Sequence, residues 1–171
     1  GNEYFVNAGA TKQNGLEAMI KYILVKDSKE RKYNIDFTNS FSYQPYQFTN
    51  YQQGNSVFDG TPTPPVPKYI WVSSLNFVHK KGWTFNINAN LTSKISLNDA
   101  ATVYTEGYEL VQAKLSKQLK WKQQFFQLFA GVDNLFNQTY SLGNDINAVG
   151  NRYFNPAPLR NGYMGIRINL Q

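Results

Sequence analysis

The chain is predicted to be all-β, an antiparallel up-and-down meander of seven to eight strands, and three observations predict it. Trp83-Thr84-Phe85-Asn86-Ile87-Asn88-Ala89-Asn90-Leu91 alternates apolar and polar residues over nine unbroken positions. Successive strand side chains point to opposite faces, so one face of this strand is apolar and the other is a row of Thr and Asn. The same pattern recurs along the chain in blocks of about ten residues bounded by turn formers, the signature of antiparallel β structure. No apolar run approaches the ~18 residues a membrane helix needs: Lys21 and Gln127 interrupt the longest ones.

In chain order, residues 3–10 make an eighth strand if a turn at 12–15 separates them from the next block. Residues 16–24 place Leu16, Ala18, Ile20, Tyr22 and Leu24 on one face and Glu17 and Lys21 on the other. Residues 33–43 set Tyr33, Ile35, Phe37, Phe41 and Tyr43 against Asn34, Asp36, Thr38, Ser40 and Ser42. Trp71, Leu75 and Phe77 share a face. So do Val111, Ala113, Leu115 and Leu119, then Phe126, Leu128, Ala130 and Val132. The last strand sets Met164, Ile166, Ile168 and Leu170 against Tyr163, Arg167 and Asn169. Such a sheet separates two environments. In a soluble sandwich these are core and water; in a membrane barrel they are lipid and lumen.

A length of 171 residues fits a single segment over 1–171, and a mean hydropathy of −0.49 is compatible with a barrel because half of each spanning strand is polar. There is no cysteine, which excludes a disulfide framework and a thiolate metal site. Charge is placed unevenly. Residues 26–32 carry +2, Lys80 and Lys81 another +2, and Lys117, Lys120 and Lys122 +3, within a net charge of +6. All three stretches lie at alternate strand connections, which a meander puts at one end. The other connections, residues 49–68, 93–106 and 137–158, are longer and nearly neutral. Short turns at one end and long loops at the other match the asymmetry of an outer-membrane barrel. Trp83 and Trp121 flank the basic turns, as amphipathic aromatics do at a membrane interface. The turn lysines offer a partner surface for anionic lipid; they form no stripe interleaved with aromatics, so nucleic acid is not expected.

Catalysis finds no support. His79 is the only histidine and sits at a strand end beside Lys80, where a solvated turn residue is the better reading. Asp36, Glu109 and Asp133 are isolated, and there is no phosphate loop or nucleophile elbow. Asp133-Asn134 and Asp145-Ile146-Asn147 do not reproduce calcium-loop spacing, and Asx turn capping explains them better. No enzyme activity, cofactor or metal is predicted. Binding residues on a rigid β scaffold concentrate in loops. The candidates are therefore Tyr51, Gln52, Tyr104, Tyr140, Asn144, Asp145, Asn147 and Arg152, amphipathic and amide-bearing side chains suited to a sugar or metal chelate. The competing reading makes them ordinary solvated loop residues.

Four strings carry a resemblance. NAGATKQNGLEAMIKYIL (residues 7–24) resembles the N-x-G-x(5)-G-[LIV]-E segment of TonB-dependent outer-membrane receptors, and TPTPPVPKYIWVSSLNF resembles a passage into one of their late strands. GVDNLFNQTY (131–140) resembles their penultimate strand, and NRYFNPAPLRNGYMGIRINL (151–170) their closing strand, especially of the Bacteroidetes type. The order and spacing agree with the C-terminal part of that barrel.

The resemblance implies a segment of a large transmembrane barrel in the outer membrane of a Gram-negative bacterium, serving energy-coupled uptake of a siderophore, cobalamin or glycan. It also implies partners outside this sequence: the receptor's own N-terminal barrel and plug, and the TonB complex. Residues 7–24 become one long descending strand, favouring seven strands over eight. A family barrel has about 22 strands, so this chain supplies about a third of the wall. The family's usual terminal aromatic is replaced by Leu170-Gln171. The alternative is a soluble β-barrel or sandwich that binds a ligand or partner. An isolated chain must pair or cover its edge strands, by closing on itself as a small barrel or by edge-to-edge homodimerisation.

Overall fold

The computed structural model describes residues 9–122 and 124–169. Its strands are β1 (Ala10–Lys12), β2 (Leu16–Val25), β3 (Tyr33–Tyr43), β4 (Gln47–Thr49), β5 (Gln52–Gln53), β6 (Ser56–Val57), β7 (Tyr69–His79), β8 (Trp83–Thr92), β9 (Tyr108–Trp121), β10 (Gln124–Asp133) and β11 (Asn161–Asn169). Seven of these form one antiparallel sheet in the order β11-β10-β9-β8-β7-β3-β2, with every neighbour also a neighbour in the meander. Its strands run from 9 to 14 residues, the length that crosses a bilayer when tilted. The sheet is open. Among the described residues β2 and β11 do not pair, so the chain does not close on itself as a small barrel.

The alternation seen in the sequence survives as register. One rung runs Phe85, Leu115, Ala130, Met164, and the next runs Trp83, Lys117, Leu128, Ile166, all on the face that also carries Trp71, Leu75 and Phe77. Nothing covers that face: Leu115 is 47% exposed and Ile166 64%. Among the described residues the only buried apolar side chains, Leu97 and Tyr153, lie in loops and not in the sheet. The sandwich reading needs a core, and the described residues place none within the sheet. An apolar surface of this extent marks contact with membrane or protein.

Aromatic residues end the apolar band on both sides. Tyr43, Tyr69 and Trp71 stand at the loop end; Tyr33, Trp83 and Trp121 stand at the turn end. Tyr33 and Tyr43 are ten steps apart on β3, about 33 Å along the strand and about 25 Å along the normal of a barrel tilted by ~40°, the height of an outer-membrane apolar band. Lys117, the only Lys or Arg on this face of the described strands, stands in the Trp83 rung, two same-face steps inside Trp121 on β9. Its ammonium sits 4.8 Å from the Trp83 ring centre and donates to the Lys81 carbonyl.

The opposite face is wet. Asn76 Nδ2 donates to Asp36 Oδ1 at 3.1 Å, Asn86 donates in turn to Asn76, and Ser74 Oγ donates to Asn88 Oδ1 at 2.6 Å. At β10 and β11 this face turns aromatic. Phe129 lies over Gly165 and Tyr163 over Gly131, reciprocal cross-strand pairs in which a ring covers the backbone a side chain would shield. A Cβ at Gly165 would stand 2.5 Å from Phe129 Cζ, and one at Gly131 2.4 Å from Tyr163 Cζ.

Two sequence expectations change. The single long strand over 7–24 is broken: Ala10–Lys12 leaves the large sheet and pairs with Gln47–Thr49, while Leu16–Val25 pairs with β3. The loop-end partner β4 captures the chain before the main ladder begins. Leu24 drops out of the alternation because the register shifts between Ile23 and Val25, and Val25 stands opposite Ile35 instead. An eighth strand over 3–10 falls mostly outside the described residues, as does Leu170. The three basic turns do share one end. Lys80 N donates to Lys32 O at 2.8 Å, and Lys80 Nζ pairs with Asp27 at 3.0 Å.

Arginine in place of Ile87, at mid-strand on the apolar face, is expected to cost about 2–4 kcal/mol in a lipid setting, whereas Asn88→Ala on the wet face should cost less than about 1 kcal/mol. Thermal unfolding in detergent micelles compares them, and equal losses would mean the faces are misassigned. Gly165→Ala is expected to cost about 1–3 kcal/mol by overpacking. Trimming the ring above it with Phe129→Leu in the same molecule should recover much of that loss.

Candidate functional site

The long loops form a folded layer of their own. In residues 44–68 the rings of Phe48, Tyr51 and Phe58 pack at 4.6 and 5.2 Å between centres, and Tyr51 N donates to Asp59 Oδ1 at 2.7 Å. In residues 93–107 the Asn98 side chain holds a turn. Its Oδ1 accepts from Thr102 N and Val103 N, and its Nδ2 donates to Thr102 Oγ1, a side chain replacing missing backbone partners. In residues 134–160 the buried Asn134, in left-handed conformation, accepts from Gln138 N at 2.8 Å and donates to Gln138 O at 2.7 Å. Asn tolerates that conformation and supplies both bonds, which is the physical content of the Asp133-Asn134-Leu135-Phe136 string.

Asp99 ties the three loops together. Its carboxylate accepts from Tyr51 Oη at 2.8 Å, its carbonyl accepts from Thr61 Oγ1 at 2.9 Å, and its N–H donates to Asn147 Oδ1 at 3.1 Å. Asn147 N closes the arrangement by donating to Leu97 O at 2.9 Å. The hydrogen bond to Asp99, then desolvation and the nearby negative charge, push the Tyr51 phenol above its ordinary pKa of 10.0.

The structure divides the eight candidate residues. Tyr51 and Asn147 are joined through Asp99 and brace the loops. Asp145 and Arg152 line one cleft of about 630 Å³ together with Phe154, and no ion pair forms between them. Tyr104 lines a second cleft, of about 530 Å³, with Tyr43, Tyr46, Lys68 and Lys94; the Lys94 ammonium lies 4.7 Å from its ring centre. Tyr140 packs tilted against Tyr108 with ring centres 5.2 Å apart, Asn144 Oδ1 accepts from Ser141 Oγ, and Gln52 caps its own hairpin by donating to Gly54 O at 2.9 Å. Lys68, Lys94 and Asp99 were not singled out from the sequence. Of the partners of Asp99 in the other two loops, Tyr51 and Asn147 lie 48 residues away and Thr61 lies 38, and no local pattern announces them.

No group of three or more His, Cys, Asp or Glu that could hold a metal ion occurs among the described residues. His79 Nδ1 accepts from Lys81 N at 3.1 Å and its ring stacks on Phe77, a turn role.

This architecture has counterparts. The family described as TonB dependent receptor-like, beta-barrel, matches residues 1–135. The unliganded ferric citrate transporter FecA superposes with a TM-score of 0.75 at 23% identity, over 94% of this chain and 25% of that one. BauA, the ferric preacinetobactin receptor of Acinetobacter baumannii, gives 0.62 at 16% identity, over 89% and 25%. The chain belongs to the TonB-dependent receptor β-barrel family. That family comprises outer-membrane receptors of Gram-negative bacteria and not enzymes. The chain spans about a quarter of the length of the solved receptors it matches.

Removing the Asp99 carboxylate with Asp99→Ala should speed amide exchange around Tyr51 about tenfold, the loss of one charge-assisted hydrogen bond. Because the Tyr51 pKa is raised, its contribution is complete below pH 10 and lost only as pH rises past that value. Loop protection that stays constant from pH 8 to 9.5 and falls above 10.5 fits this linkage; a fall centred near neutrality contradicts it.

Proposed function

We propose that this chain is the C-terminal part of the barrel wall of an outer-membrane receptor that imports a scarce nutrient, a siderophore, cobalamin or glycan. The bare apolar face carries this reading: seven strands of membrane-crossing length expose one greasy band bounded by aromatics, and among the described residues no core packs against it. The wet face lines the lumen, the basic turns point to the periplasm, and the Asp99-braced loops face outward to the ligand. The edges β2 and β11 pair with the remaining strands of the same receptor; alone, the chain meets the same need by pairing edge to edge with a second copy. A plug in the lumen and TonB below it supply gating and energy.

Recognition belongs to the two loop-end clefts, whose tyrosines, amides and lysines suit a polar or anionic ligand. Uptake by the complete receptor carrying Tyr104→Ala and Arg152→Ala, one from each cleft, should fall tenfold or more, as when two recognition residues of about 1 kcal/mol are lost together. Unchanged uptake would move recognition to the plug or the other strands. A chain that stays monomeric in buffer without detergent would refute the barrel reading.

A further inference from the structure

A shallow groove of about 680 Å³ runs down the apolar face where β9, β10 and β11 meet. Its floor is Ala130, the small residue in a rung whose neighbours are Leu115 and Met164; Leu128 and Ile166 form its lower wall. Its volume falls within the ~300–1,000 Å³ typical of small-molecule sites, and its lining is apolar except at one end. There stand Trp83 and Lys117. The Lys117 ammonium uses one donor on the Lys81 carbonyl and leaves two directions open, with the exposed Lys81 in the adjoining turn.

We infer that this groove holds one phospholipid of the leaflet that meets the basic turns, its acyl chain over Ala130 and its phosphate on Lys117. The assignment rests on the proposed membrane reading and on complementarity. An apolar trough needs a flexible hydrocarbon occupant, and the only cation on the outer face of the described strands stands at its mouth, beside an indole of the kind that sits at headgroup level. The groove is built from four consecutive strands of this chain, β8 to β11, so it does not depend on strands supplied from elsewhere. A free phosphate has no use for the trough, and a diacylglycerol has none for Lys117.

Native mass spectrometry of the complete receptor in detergent, with dioleoyl phosphatidylglycerol or dioleoylglycerol added, tests it. The wild type should retain one phosphatidylglycerol per barrel and about fivefold less dioleoylglycerol. Ala130→Leu, which fills the floor, should abolish retention of both. Lys117→Gln should weaken phosphatidylglycerol about fivefold and erase the preference for it, the effect of one lysine at an anionic surface. The heat-modifiable band of the folded barrel on gels controls for folding, and Ala130→Val replaces the leucine variant if that band is lost. No retained lipid in the wild type, or retention unchanged in either variant, overturns the inference. A receptor that needs detergent but retains no lipid leaves the barrel reading standing, whereas detergent-independent solubility removes both.

Discussion

A sheet without a core governs this molecule. In water, seven strands with one apolar face must bury it against a second layer, because exposing that much hydrocarbon opposes folding by about 25 cal/mol per Å². Among the described residues no second layer exists, and the apolar face stays bare from Leu16 on β2 to Ile168 on β11. Lipid satisfies such a face without packing partners, and it permits only structures whose backbone groups are all paired internally. The strand lengths, the aromatic rims, the seating of the Lys117 ammonium against the rim residue Trp83 and the open edges all follow from that requirement.

The wet face shows the complementary logic. Side chains directly opposite one another in register bond across strands, as Asp36, Asn76 and Asn86 do, so polar groups lining a lumen are held in place as well as solvated. One polar pair interrupts the other face: Asn39 donates to Ser73 Oγ at 2.7 Å midway along the band. Each partner satisfies part of the other, which lowers the cost of placing both toward lipid. Stiffness in the last hairpin comes from a different source, the reciprocal seating of Phe129 and Tyr163 on glycines, which a strictly alternating polar face could not supply.

What was legible in the sequence was what period two encodes. The faces of residues 33–43 and 83–91, the basic end and a count of seven to eight strands are local patterns repeated; register preserved the faces, and the described sheet has seven strands. Less legible was anything decided by a partner far along the chain. The break between β1 and β2 depends on β4 arriving from a loop more than thirty residues later, and the bulge beside Leu24 depends on a twist that alternation does not record. The loop candidates were chosen by residue type, and type alone did not separate Tyr51 and Asn147, which brace the layer, from Tyr104 and Arg152, which line clefts.

The loop layer bears on recognition through this division of labour. Loops 44–68, 93–107 and 134–160 would each lose much conformational entropy on closing around a ligand if they were free. Asp99 joins all three with its carboxylate, carbonyl and amide before any ligand is present, so part of that cost is met during folding. Under the proposed reading the clefts beside Tyr104 and Arg152 are then preorganised, with Lys68, Lys94 and Arg152 in their walls. A loop layer braced at one residue can also move as a unit, because a ligand that shifts one loop through Tyr51 or Asn147 pulls on the others through Asp99.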